Sequence, residues 1–156
     1  MRAIIQRVSH ASVTVDNKVL SKIDEGILVL LGVGKEDTEK QAEFLADKVA
    51  NLRIFCDEND KMNLSLLDIG KDAIVVSNFT LYANSRKGRR PSYDEAALPE
   101  KADRLYQYFV TCMRKQNVRN VYTGEFGADM KVSLLNDGPV TIFLDTDVIM
   151  PLRKDQ

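Results

Sequence analysis

A chain of 156 residues has the length of one ordinary domain. Its 44% hydrophobic and 29% charged residues are those of a globular protein with enough apolar material for a core, so neither a metal nor a disulfide staple is needed. A formal net charge of -1 excludes a global basic field for nucleic acid and leaves any RNA contact to a local patch.

The N-terminus, Met1 to Arg7, lacks the apolar h-region of a signal peptide. Ala3-Ile4-Ile5 begins a strand, Ser12 to Val15 alternates in polarity as another, Asp16-Asn17-Lys18 is turn-like, and Val19-Leu20 resumes an apolar stretch. Ile27 to Leu31 is a continuous apolar run between Gly26 and Gly32, which predicts a strand buried on both faces. It is also the longest apolar run, far too short to span a membrane, and the chain is expected to be cytoplasmic.

Thr38 and Gln41 have capping-box spacing, and Leu45, Val49 and Leu52 follow on one helical face. Ile54-Phe55 and Ala73 to Val76 read as strands. A second helix is predicted from about Pro99 to Gln116, with Ala102, Leu105, Phe109, Cys112, Met113 and Gln116 along one stripe. Val121 to Thr123, Met130 to Leu135 and Val140 to Leu144 read as further strands, and the tail from Asp145 to Gln156 carries no clear signal.

Conventional active-site machinery is missing. The one histidine, His10, has nothing spaced around it for a Ser-His-Asp arrangement and reads as a surface or turn residue. Cys56 and Cys112 sit far apart, without metal-ligand spacing, and read as two buried thiols. Gly32-Val33-Gly34-Lys35 lacks phosphate-loop spacing and reads as a strand end and turn. Asp57-Glu58 and Asp94-Glu95 read as solvated loop charges rather than general acid–base pairs. No metal or cofactor is expected.

Three segments carry more. Ser77-Asn78-Phe79-Thr80-Leu81 follows a buried strand, the place where sites in α/β proteins often lie. Ser77 and Thr80 are candidate nucleophiles without an evident base; the bland reading is hydroxyls bonded to backbone at a strand end. Between Asn84 and Tyr93 stand Arg86, Lys87, Arg89 and Arg90 with no acidic residue, a loop suited to RNA phosphates or simply to solvent, with Tyr93 available to stack. Asn136-Asp137-Gly138-Pro139 lies between two strand-like stretches and reads as a hairpin turn. Since roughly 5–6% of X-Pro bonds in folded proteins are cis, frequency alone predicts a trans Gly138-Pro139 bond.

Taken in order, these segments resemble the D-aminoacyl-tRNA deacylase family. The resemblance runs to about Leu144 and includes Gln6-Arg7-Val8, Ala11-Ser12-Val13, Leu30 to Val33, Arg53-Ile54-Phe55 and Lys61 to Leu64. It continues through Ser77 to Leu81, Arg90-Pro91-Ser92, Phe126 to Met130 and Asn136 to Thr141. Asn78 departs from the family's usual Gln and Gly127 from a frequent Ala.

The resemblance implies a strand-rich, mixed α/β fold: a mostly antiparallel, barrel-like core with two main helices, in one domain over 1–144 followed by a tail over 145–156. It implies a homodimer in which a cis Gly138-Pro139 loop enters the partner's site, reversing the expectation from frequency. It also implies hydrolysis of D-aminoacyl-tRNA and of mischarged glycyl-tRNA at the 3' end, with the terminal ribose assisting. Thr80 and Ser77 would line the site without acting as nucleophiles; since ester hydrolysis needs a donor to the developing oxyanion, the backbone N–H groups near Phe79 and Thr80 are candidates, with the Thr80 hydroxyl second. Gly138, Pro139, Asn78 and Met130 would bind the aminoacyl group, and Arg86, Lys87, Arg89 and Arg90 the tRNA. Two rival readings remain: an esterase with Ser77 or Thr80 as true nucleophile, and a dimer that binds tRNA, or merely associates, without catalysis.

Overall fold

Strand β1 (Arg2–Val15) alternates buried and partly buried residues, the period of two that a strand with one core-facing side requires. The computed structural model, which describes residues 1–152, shows it as one strand where the sequence suggests two pieces. β1 organises a six-stranded sheet. Along one edge it pairs antiparallel with β2 (Lys18–Ile23) near its end and with β3 (Gly26–Gly32) near its start. Along the other it pairs antiparallel with β8 (Lys131–Asp145). The sheet continues from β3 through two parallel neighbours, β6 (Asp72–Ser77) and β7 (Val121–Thr123). Ser21 of β2 donates a hydrogen bond to the Thr123 carbonyl of β7, so the outermost strands meet and the sheet curls into a nearly closed barrel.

The curl gives two cores. Outside it, α1 (Glu39–Asn51) and α3 (Pro99–Lys115) cover Ile5, Ile27, Val29, Leu31 and Val75 with Leu45, Val49, Leu105, Phe109 and Met113. Inside it, Val8, Val13, Leu28, Ile74 and Val76 pack against Met130, Val132 and Leu134. Alternate residues of Ile27–Leu31 thus serve different cores, which is why that run carries no polar position. The α1 capping box forms as predicted: Thr38 N–H donates to Gln41 Oε1 at 2.8 Å, and the Thr38 hydroxyl accepts from the helix backbone.

Three expectations are corrected. Asn136 to Pro139 is not a hairpin turn. Residues on both sides of it pair with β1 in one antiparallel direction, Leu134 opposite Ala11 and Thr141 opposite Gln6, so the chain bulges without reversing. The Gly138-Pro139 bond, trans by frequency, is cis, as the resemblance implies. Cys56 is exposed and only Cys112 is buried, because Cys56 lies on the short strand β4 (Phe55–Cys56), where Phe55 takes the inward side.

Short elements were not read from the sequence: β5 (Met62–Leu64), which pairs with β4, and the single-turn helices α2 (Leu66–Ile69) and α4 (Thr146–Ile149). The first of these helices carries a legible signal, a Ser65–Asp68 capping box. The tail expected over 145–156 begins as the last residue of β8 and then α4; residues 153–156 lie outside the described residues. Thr146 is buried, and its hydroxyl accepts from the Met1 α-ammonium at 2.7 Å. Asp37, also buried, accepts from the same ammonium at 2.7 Å.

Candidate active site

β6 ends at Ser77, and the chain enters a single 3-10 turn, Phe79–Tyr82. Asn78 caps that turn. Its Oδ1 accepts from the Thr80 N–H at 3.3 Å and, at closer range, from the Thr80 hydroxyl. A Gln would place its amide one methylene further out, so the residue that departs from the family's pattern has a definite local task here. The turn lies directly on β3. A Cβ built on Gly32 would stand 2.9 Å from Leu81 Cβ and 3.2 Å from the Asn78 carbonyl, so only glycine permits this approach.

Phe79 and Thr80 are exposed at the mouth of a cavity of about 750 Å³. Ser77, Asn78, Phe79, Thr80 and Met130 all line it, as do Leu98 and Phe126, and its lining is mainly apolar. The structure therefore brings together five of the residues singled out in the sequence. Tyr93, read from the sequence as available to stack, lines it too, and its ring meets that of Phe79 edge-on with centroids 4.9 Å apart. His10 is elsewhere, exposed on β1 opposite Leu135, and does not line the cavity. The Thr80 hydroxyl has its proton directed at a neutral amide, which cannot act as a base. Among the described residues the Phe79 N–H has no acceptor, whereas the Thr80 N–H is taken by Asn78.

Arg86, Lys87, Arg89 and Arg90 occupy the loop that follows the turn, and all four are exposed. The loop is closed by two hydrogen bonds between Asn84 and Ser92, of 2.8 and 2.9 Å. Among the described residues, none of its four cations is in an ion pair. Since Tyr93 lines the cavity at the loop's far end, a positive surface adjoins an apolar pocket.

Gly138 and Pro139 do not line this cavity within one chain. Their bulge stands over Arg7, a residue marked in the sequence only by the resemblance. The Arg7 Nε donates to the Asp137 carbonyl at 3.0 Å, and Nη1 donates to the Ile54 carbonyl at 2.7 Å. The Asp137 carboxylate lies 3.6 Å from Nε. Asn136 bridges the base of the bulge: its Nδ2 donates to Thr141 Oγ1 at 2.8 Å and its Oδ1 accepts from the Val140 N–H at 3.1 Å. Gly138 has φ +135, and a Cβ there would stand 2.9 Å from Val140 N, so the position excludes a side chain.

A family model described as D-Tyr-tRNA(Tyr) deacylase matches residues 4–145. The chain belongs to that deacylase family. A D-aminoacyl-tRNA deacylase of Thermosipho melanesiensis is 60% identical over 146 residues, 94% of this chain and 97% of that protein. One of Koribacter versatilis is 57% identical over the same shares. Among solved structures, a c-Myc DNA Unwinding Element Binding Protein superposes with TM-score 0.87 at 42% identity, covering 93% of this chain and 98% of that one. A probable eukaryotic D-amino acid tRNA deacylase superposes with TM-score 0.81 at 15% identity, over 92% of this chain and 97% of that one, a likeness of fold alone. The family member described here has no helix, among the described residues, long and apolar enough to cross a membrane.

Proposed function

We propose that this chain hydrolyses the ester of D-aminoacyl-tRNA, and of glycine mischarged on tRNA, and spares L-aminoacyl-tRNA. Water adds to the acyl carbon, the bond to the terminal ribose oxygen breaks, and free amino acid and tRNA leave. The observation that carries this reading is the Phe79 N–H, which has no acceptor among the described residues, at the mouth of an apolar cavity where the Thr80 hydroxyl faces an amide and no base. Such a site suits a backbone donor to the developing oxyanion rather than a protein nucleophile. The terminal ribose of the substrate then assists the attack.

The reader of handedness is the Gly138-Pro139 bulge of a second copy. Within one chain the bulge borders a separate cavity, lined by Arg7, Phe55, Cys56 and Asp137; in the proposed dimer the partner's bulge reaches Ser77–Thr80. Backbone carbonyls there hold the α-amino group and leave room for hydrogen alone on one side of Cα. An L side chain meets that wall, a D side chain points to solvent, and glycine passes because it offers hydrogen on both sides. The Arg86–Arg90 loop binds the tRNA backbone next to the pocket that takes its 3' end.

The test is to incubate the protein with matched D- and L-tyrosyl-tRNA and follow the free amino acid. Release from the D form alone is expected. Equal rates on both would overturn the reading.

A further inference from the structure

We propose that Arg2 is a positioning residue of this site: it fixes the C-terminal end of the Phe79–Tyr82 turn and thereby the aim of the Phe79 N–H. The proposal rests on the functional reading above for its kinetic consequence, but not for its structural one.

A four-residue 3-10 turn is weakly self-supporting, because its i to i+3 bonds have poor geometry. Here the bond from Leu81 N–H to the Asn78 carbonyl is long, at 3.4 Å. The bond from Ala83 N–H to the Thr80 carbonyl, at 3.0 Å, is the shorter one, and contacts from outside add to both. Asn78 holds its start. Arg2, the first residue of β1, holds its end with two contacts and is itself anchored by a third. Its Nη1 donates to the Leu81 carbonyl at 2.9 Å. Its guanidinium carbon stands 4.4 Å from the centroid of the Tyr82 ring. Its Nε donates to Asp145 Oδ2 at 3.0 Å, which anchors the cation on β8.

This use of a planar, delocalised cation explains why the position needs arginine and not merely charge. A lysine ammonium can meet the Leu81 carbonyl or Asp145, but it cannot keep both and cover the ring. The turn is pressed from below as well: the buried Tyr82 packs on Gly32, and its hydroxyl lies 3.5 Å from Asp37 Oδ2. Arg2 thus holds the end of the turn opposite the one that Asn78 caps. It lines no part of the cavity, so it reaches the chemistry only through the turn.

The experiment compares wild type with Arg2→Gln and Arg2→Lys in two measurements. In steady-state deacylation of D-tyrosyl-tRNA, Arg2→Gln is expected to lower kcat by about tenfold, as a small misplacement of a catalytic donor does. KM should stay within about twofold, because the substrate-binding surfaces are untouched. Arg2→Lys should recover part of the kcat. In amide hydrogen exchange, the Phe79–Ala83 segment of Arg2→Gln should exchange at least about tenfold faster while β3 and β6 keep wild-type protection. Wild-type kcat together with unchanged exchange in the turn would overturn the proposal. So would uniform acceleration of exchange throughout the chain, which marks general destabilisation. If the wild-type protein releases no amino acid at all, the functional reading fails, and the exchange measurement still decides what Arg2 does.

Discussion

Thr80 is where the choice between a protein nucleophile and a backbone donor can be decided. Its hydroxyl donates to Asn78, and an amide oxygen does not raise nucleophilicity by taking a proton away. Thr80→Ala removes the hydroxyl and leaves the Phe79 N–H in place. It is therefore expected to retain kcat within about tenfold of wild type, whereas loss of a true nucleophile costs about 10⁶. Single-turnover deacylation of D-tyrosyl-tRNA reads the difference. Complete loss of turnover with tRNA binding intact would restore Thr80 as nucleophile. The neighbouring Tyr82 has a different part. Burial first, then the Asp37 and Asp145 carboxylates, push its phenol well above the ordinary tyrosine range. It stays protonated at any working pH and serves as packing under the turn.

The bulge in β8 shows what can be read from sequence and what cannot. Helices α1 and α3 were legible because their signals are local: a Thr38–Gln41 box, a Pro99 start and apolar residues at helical spacing. Ser77 to Thr80 and Met130 were likewise found in one cavity. Asn136 to Pro139 misled because Asp-Gly is a local hairpin signal, while the pairing that keeps the strand straight comes from β1 at the other end of the chain. Arg7 and Arg2 escaped for the same reason. Each acts on carbonyls far away in sequence, Ile54 and Asp137 for one and Leu81 for the other, and nothing in a local pattern marks such a partner. The 3-10 turn is too short to carry a period at all. Arg7 makes a prediction at this scale. With only 13% of its side chain exposed, it ties the bulge to Ile54, so Arg7→Ala should free Gly138 to move. The ratio of D to L deacylation rates should fall by about tenfold or more. Stability should drop by about 1.5–3 kcal/mol, the range for a hydrogen bond to a charged group, seen as a lower Tm. An unchanged ratio would show that the bulge keeps its shape without Arg7.

At the scale of the whole molecule, the proposed dimer decides whether the two halves of the site ever meet. Along β8 the residues alternate: Val132 and Leu134 pack on the inner core, Val140, Ile142 and Leu144 on the outer one, and the residues between them are exposed. Two of those exposed residues, Leu135 at 53% and Phe143 at 57%, are large and apolar, and they flank Gly138-Pro139 on the same strand. A strand that carries the Gly138-Pro139 bulge between uncovered apolar side chains is a natural seam for a second copy, because covering those side chains would also deliver the bulge. A two-fold interface places each residue twice, so one charge introduced there is felt twice. Phe143→Glu is accordingly expected to weaken self-association by about thirtyfold or more, the equivalent of about 2 kcal/mol. Because Phe143 points away from both cores, the monomer should keep its far-UV circular dichroism. Sedimentation velocity across a concentration series measures the first effect, and deacylation measured on the same samples connects it to function. Activity should track the dimer fraction and return at high protein concentration. A variant that is monomeric at every concentration yet deacylates D-tyrosyl-tRNA at the wild-type rate would show that one chain suffices. The handedness test would then have to be made by Ser77 to Thr80 and Met130 alone.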